Sequence, residues 1–245
     1  MPLCSSPTTS PLTDRAYLVN RVAAEKYPDA KFTAFGGLCL NRPVGGLNPD
    51  AVETSLKLGA KVIWLPTNTA ENHYRKNGKD PSKGVVVTRD GKAVDELQDI
   101  FALVKQYNAV LATGHIGAEE CFPVVEAARA AGVKKIVITH PEFWVVGMTP
   151  EQQADIVRKY DVLLESVYAQ PVNGSYKINI PDNIAAMKAI GPEHFVLSTD
   201  SGQTVNPYWY ESYTTYFKAV SEAFTPEQVC KMTHDNPAWL LDIDQ

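Results

Sequence analysis

Residues 108–140, NAVLATGHIGAEECFPVVEAARAAGVKKIVITH, constrain the fold of this chain more than any other stretch. An apolar run ends at Gly114-His115, a helix-like segment follows and stops at Gly132, and a second apolar run ends at Thr139-His140. Strand, crossover helix and strand make a βαβ unit, whose two strands must run parallel. Parallel strands deliver their C-terminal ends to one edge of a sheet. The two imidazoles are therefore expected on one rim, where α/β enzymes build their sites.

The same cadence runs along the chain. Strands are expected at 32–41, 61–67, 108–115, 134–140, 161–167 and 194–200, each followed by helix. Thr13 reads as the N-cap of a helix reaching Tyr27, and Asn48-Pro49 as an N-cap with proline in the first turn. Thr149 to Gln152 and Thr225 to Gln228 spell capping boxes, and Pro181 opens a helix that Gly191 ends. The strand interiors are runs of Val, Ile, Leu and Ala without polar alternation, which marks strands buried on both faces. Residues 84–96 instead predict a β-hairpin around Asp90-Gly91, a type I′ turn sequence. Residues 171–180 and the polar stretch 67–80 read as loops.

No GxGxxG or GxxxxGK[ST] follows a strand, so the nucleotide signatures of doubly wound sheets are missing. The expected fold is α/β and TIM-barrel-like but incomplete, with about six parallel strands, helices outside and a small hairpin insertion. Residues 1–13, rich in Ser, Thr and Pro, are expected to be a mobile segment before a single domain at 14–245.

A net charge of −5 with interspersed signs and no Lys/Arg block argues against nucleic acid or an anionic membrane as partner. No apolar stretch approaches the ~20 residues of a transmembrane helix, and the start lacks the pattern of a secretory signal. Cys4, Cys39, Cys121 and Cys230 are isolated and lack metal-ligand spacing, so reduced thiols and a cytoplasmic location are expected.

The C-terminal ends of the strands present Asn41, Thr67-Asn68, His115, His140, Glu165 and Asp200. Imidazoles, carboxylates and small polar groups are the ingredients of a site for Zn²⁺, or for Mn²⁺ or another divalent ion. Such an ion lowers the pKa of water and polarises a carbonyl or phosphoryl oxygen, and Asp200 is placed to take the proton of an attacking water. Arg42, in the loop NRPVGGLNP, is a candidate clamp for a carboxylate or phosphate of the substrate. Glu165 and His73 are further candidate substrate contacts.

TGHI, ITHP, STDSG and the C-terminal DNPAWLLDI, in that order, resemble the amidohydrolase superfamily of metal-dependent (β/α)₈-barrel hydrolases. Within it the chain is similar to a TatD- or phosphotriesterase-like branch. The resemblance implies that His115 and His140 are the histidine ligands of the fifth and sixth barrel strands. It also implies that Asp200 is the strand-eight aspartate, both ligand and general base. The His-x-His that opens the family pattern is absent, the first histidine being His73, and no Lys or Glu takes the bridging position after KVIWLPT. By that comparison the first strand, first helix and second strand are missing.

The expected function is hydrolysis of a small-molecule ester, lactone, amide or phosphoester by metal-activated water. A non-catalytic relic or binding protein of the same fold, or a decarboxylase on the same barrel, are the alternatives. Unpaired strand edges in a shortened barrel invite pairing, so either the N-terminal segment covers the gap or the chain is a homo-oligomer.

Overall fold

The computed structural model describes residues 13–172 and 175–243. Residues 1–12 of the expected mobile segment lie outside the described residues, whereas Thr13 is buried at the start of a helix. The described chain divides into two compact units, one ending at Ile136 and the other beginning at Val137.

The first unit runs α1 (Thr13–Lys26), β1 (Gly36–Cys39), α2 (Pro49–Lys57), β2 (Ala60–Trp64), α3 (Glu71–Lys76), β3 (Thr88–Arg89), β4 (Lys92–Ala93), α4 (Leu97–Gln106), β5 (Val110–Ala112) and α5 (Ala118–Ala130). β6 (Lys135–Ile138) spans the division. The second unit continues with α6 (Pro150–Tyr160), β7 (Leu163–Val167), β8 (Ala169–Val172), β9 (Ser175–Ile178), α7 (Ile180–Ile190), β10 (Phe195–Ser198), α8 (Trp209–Ala223), α9 (Pro226–Cys230) and α10 (Asn236–Leu241).

Six strands form one parallel sheet in the order β1-β2-β5-β6-β7-β10. In the first unit Leu38 pairs with Ile63, and Ile63 with Leu111. In the second, Val137 pairs with Leu163, and Leu164 with Phe195. The strand residues are almost all buried, as expected of strands covered on both faces. Each expected strand is present, shorter than predicted, because the polar residues at its end belong to the loop that follows.

Local chemistry sets the boundaries. The Asn48 side chain accepts hydrogen bonds from the amides of Asp50 and Ala51, with Pro49 in the first turn of α2. The capping boxes at Thr149 and Thr225 form as the sequence predicts. Asp90 and Gly91 have φ of 50° and 72°, the left-handed pair a type I′ turn requires between β3 and β4.

Two expectations fail. Within the stretch read as a loop at 67–80, Glu71–Lys76 form α3; six largely polar residues carry no apolar period to announce it. The loop expected at 171–180 is instead an antiparallel hairpin of β8 and β9, followed by the start of α7. Its sequence signal is Asn173-Gly174, which lies outside the described residues.

The helix beginning at Thr13 borders β1. Thr13 Oγ1 donates to the Gly37 carbonyl at 3.4 Å, and Asn20 bonds both the amide and the carbonyl of Ala34, at 2.7 and 2.8 Å. A Cβ on Gly36 would lie 2.5 Å from Thr13 Cα, so this approach needs glycine. α1 thus satisfies backbone groups that an uncovered edge would leave to water. It also leaves Tyr17, Leu18, Val19 and Val22 exposed.

Gly114 fixes how β5 hands over to His115. Its φ is +64°, and a Cβ there would sit 2.5 Å from the Leu65 carbonyl oxygen and 2.7 Å from that of Pro66. Gly114→Ala therefore combines a left-handed backbone with a clash against main chain. It is expected to lower unfolding free energy by about 2 kcal/mol or more, read from denaturant midpoints. Gly59→Ala, also at positive φ (+93°) but with open space around it, is expected to cost only about 1 kcal/mol.

Candidate functional site

Each unit presents its own group of polar residues at its strand ends. In the first unit Asn41, after β1, is a clamp. Its Oδ1 accepts from the amides of Thr67 and Thr69 at 3.0 and 3.1 Å and from Thr69 Oγ1 at 2.9 Å, while its Nδ2 donates to Thr67 Oγ1 at 2.8 Å. All these bonds are internal, so Asn41 and Thr67 hold the loop after β2. Cys39 touches Thr67 Oγ1 at 3.3 Å, and burial pushes its thiol up to about 11.

His115 is half-buried just past β5. Its backbone is fixed from two sides, by its amide donating to the Pro66 carbonyl at 3.0 Å and by Asn72 Nδ2 donating to its carbonyl at 3.0 Å. His73, on α3, meets it. The two Nδ1 atoms are 2.8 Å apart, and the rings stack with centroids 4.9 Å apart. Burial, reinforced by Lys79, lowers the His73 pKa to about 4, so this ring is neutral at physiological pH. One Nδ1 then donates and the other accepts. If His115 donates, its Nε2 carries a lone pair, the form a metal ligand needs.

Arg42 is exposed, and its Nη1 donates to the Lys83 carbonyl at 3.2 Å. Glu120, at the start of α5, accepts from the Gly117 amide at 2.7 Å and from Thr88 Oγ1 at 3.2 Å; it caps the helix.

In the second unit His140, Glu142, Glu165 and Asp200 are the titratable groups at the strand ends. His140 follows β6 with φ of 26°, and Asp200 follows β10 with φ of 48°. Both are buried, at 2% and 7% exposure. For non-glycine residues this backbone region is strained by roughly 1–3 kcal/mol, and such strain concentrates at functional sites. The other non-glycine residues at positive φ among those described are, like Asp200, Asp or Asn, the types that tolerate it, so His140 is the unusual one. Phe143 packs edge-on against the His140 ring at 4.7 Å.

Glu165 lies within β7, where covered strands leave a carboxylate no water. Burial raises its pKa to about 8, Asp200 and Glu142 adding to the rise while the Ser198 hydroxyl opposes it. Glu142 is raised to about 7, again by burial first. The backbone amides of Glu142 and Val167 and the Gln170 side chain oppose the rise, while Asp200 adds to it. Oε1 of each glutamate is covered and has no hydrogen-bond partner among the described residues. Beside them Tyr216 of α8 is held by Ser166 Oγ at 2.7 Å and Asn183 Nδ2 at 2.8 Å, its pKa pushed well up by burial.

Buried carboxylates with unanswered oxygens demand a proton or a cation. The donor set, imidazole plus hard carboxylate oxygens, matches a divalent ion of the Zn²⁺ or Mn²⁺ kind. In charge and ligand type these residues suit it, although no three of their donor atoms lie within 4.8 Å of one another. A glutamate that stays protonated at neutral pH is in addition a proton donor.

Sequence reasoning placed His140, Glu165 and Asp200 and missed Glu142. Its signal was a lone carboxylate two residues past a strand-end histidine, in the otherwise apolar PEFWVV.

Solved structures similar to this one include a 2,6-dihydroxybenzoate decarboxylase from Rhizobium, at 16% identity and a TM-score of 0.53, covering 95% of this chain and 78% of that one. An amidohydrolase from Pseudomonas aeruginosa matches at 13% identity and 0.54, over 79% and 67% of the two chains. A metallo peptidase from Rhodobacter sphaeroides, liganded with a phosphinate mimic of L-Ala-D-Ala, matches at 11% and 0.56, over 85% and 62%. These likenesses establish the fold alone, an α/β fold shared with these enzymes. Among curated proteins nothing matches the chain. A family model matches residues 8–165, and the chain thereby belongs to the family described as "Family of unknown function (DUF6282)".

Proposed function

We propose that this chain is a metal-dependent enzyme that hydrolyses a small-molecule ester, lactone, amide or phosphoester. The observation that carries the reading is in the second unit. Two buried strand-end residues, His140 and Asp200, hold left-handed backbone in the same unit as buried Glu165 and half-buried Glu142, whose Oε1 atoms are covered and have no hydrogen-bond partner among the described residues. His140 and Asp200 of the second unit would hold the ion. When bound, the ion supplies Lewis-acid polarisation of the scissile carbonyl or phosphoryl group.

The chain's own residues supply the rest. Asp200 accepts the proton of the attacking water and returns it to the leaving group. Phe143 and the buried strand ends limit access of bulk water to His140. His73 holds the His115 ring in place and makes its Nδ1 bond. Glu165 and Arg42 remain proposed substrate contacts, Arg42 through the part of its guanidinium not bonded to Lys83.

A second reading is decarboxylation. It is favoured by Glu165, whose raised pKa keeps a proton available for transfer to carbon at neutral pH, and decarboxylases stand among the structures of similar fold.

Zinc is the metal we propose first. Self-association belongs to the same proposal, supported by the apolar residues that α1 exposes. Light scattering should give a multiple of the 26.9 kDa chain mass, and a strictly monomeric species contradicts it. Among the described residues no helix is long and apolar enough to cross a membrane.

In a substrate screen with added Zn²⁺ or Mn²⁺, Asp200→Asn should lower kcat by about 10²–10⁴-fold, and His140→Ala should abolish both activity and metal retention at the strand ends. Release of CO₂ in place of a hydrolysis product selects the second reading. Absence of any activity in both assays supports the non-catalytic alternative.

The raised glutamates also predict a pH dependence of stability. Unfolded, they lose their protons near the ordinary value of 4.5; folded, they keep them up to about 7 and 8. The folded state binds more protons across that window, so metal-free protein should lose stability as pH rises from about 4.5 to about 8. Glu165→Gln should flatten this slope in denaturant titrations, and added Zn²⁺ should restore stability at the alkaline end of the window. A slope unchanged by the variant contradicts the assignment.

A further inference from the structure

The last helices of the second unit carry a cluster that the strand ends do not use. α9 ends at Cys230, and one π turn, Lys231–Asp235, joins it to α10. On an α-helix residue i+4 lies about 40° around the axis from i, but i+5 lies about 140° away. The π turn is wider, closed here by the Asn236 amide donating to the Lys231 carbonyl, and it returns i+5 to the face of i. Both ends of the segment are pinned. Thr225 caps α9, and Asn236 Nδ2 donates to the carbonyls of Glu193 and Phe195 at 2.8 Å each.

Cys230, His234 and Asp235 are brought together as a result. Cys230 Sγ lies 3.7 Å from Asp235 Oδ1, which lies 2.9 Å from His234 Nδ1, and the three donor atoms all fall within 4.8 Å of one another. Among the described residues this is the group of three His, Cys, Asp or Glu side chains that meets that spacing. The sequence reading of Cys230 as an isolated thiol without metal-ligand spacing is thus corrected: C-x₃-H-D becomes a one-sided triad only through the π turn.

We propose that Cys230, His234 and Asp235 form a surface site for a thiophilic divalent ion of the Zn²⁺ class. One thiolate, one imidazole and one carboxylate make a three-ligand set whose fourth position is left to water or to a group from another molecule. Sulfur and imidazole donors select against Mg²⁺ and Ca²⁺, which take oxygen. All three residues reach solvent, so the ion has direct access. On binding, a bond forms from Sγ to the ion, the thiol proton leaves to solvent, and no electrons are transferred. Partial desolvation and then the Asp235 carboxylate raise the thiol pKa in the metal-free protein, which keeps the proton on sulfur until a cation replaces it.

The test is Co²⁺ titration of the full chain under reducing conditions. One equivalent should produce a thiolate-to-cobalt charge-transfer absorption in the near ultraviolet, and Zn²⁺ should bleach it. Cys230→Ser should abolish the band, and His234→Ala should weaken Co²⁺ binding by roughly tenfold or more. His140→Ala should leave the band intact, because an imidazole–carboxylate site at the strand ends contributes no thiolate transition. Both substituted surface residues are exposed, and unchanged thermal melts confirm that the variants fold. Absence of the band, or a band that survives Cys230→Ser, overturns the proposal.

Discussion

The cost of ionising two covered carboxyl groups in the second unit is the constraint on which the rest depends. Glu165 sits within a strand that a parallel α/β sheet covers on both sides, and Glu142 brings a second covered oxygen beside it. Moving a carboxylate out of water costs several kcal/mol unless a proton, a donor or a cation answers it. The Ser198 hydroxyl and backbone amides answer only part of that cost, and both pKa values rise. Hydrophobic residues of similar size would be more stable there.

The architecture explains why such groups gather. Parallel strands all end on one edge, and each must hand its chain to a loop within a residue or two. Gly114 does so with a left-handed backbone that leaves no room for a side chain. His140 and Asp200 do so with side chains present, and His140 is the one positive-φ residue among those described that is neither Gly, Asp nor Asn. In the first unit the strand ends are stitched by Asn41 and Thr67, whose hydrogen bonds are internal, and by the His73–His115 contact. The strand ends of the first unit thus hold loops, while those of the second include the covered glutamate Oε1 atoms.

Much of this was legible in the sequence. Uninterrupted Val, Ile and Leu runs gave the six strand positions, because burial on both faces removes polar alternation. Asp90-Gly91, Asn48-Pro49 and the Thr-Pro-Glu-Gln starts marked a turn and helix caps through chemistry confined to a few neighbouring residues. Besides the hairpin of β8 and β9, three features escaped. α3 is too short and polar to show a helical period, so the stacking of His73 on His115 was invisible. Glu142 lies past its strand, where only tertiary burial distinguishes it from an ordinary loop acid. Cys230, His234 and Asp235 share a face only because one helical turn is widened, and sequence spacing read on an α-helix separates them.

Metal-edge anomalous diffraction from crystals grown with Zn²⁺ tests the central claim most directly. The account predicts an anomalous peak within about 2.0–2.2 Å of a His140 ring nitrogen and an Asp200 carboxylate oxygen, beside Glu142 and Glu165. No peak at those residues, with the two glutamate oxygens instead satisfied by protein donors or ordered water, would contradict it.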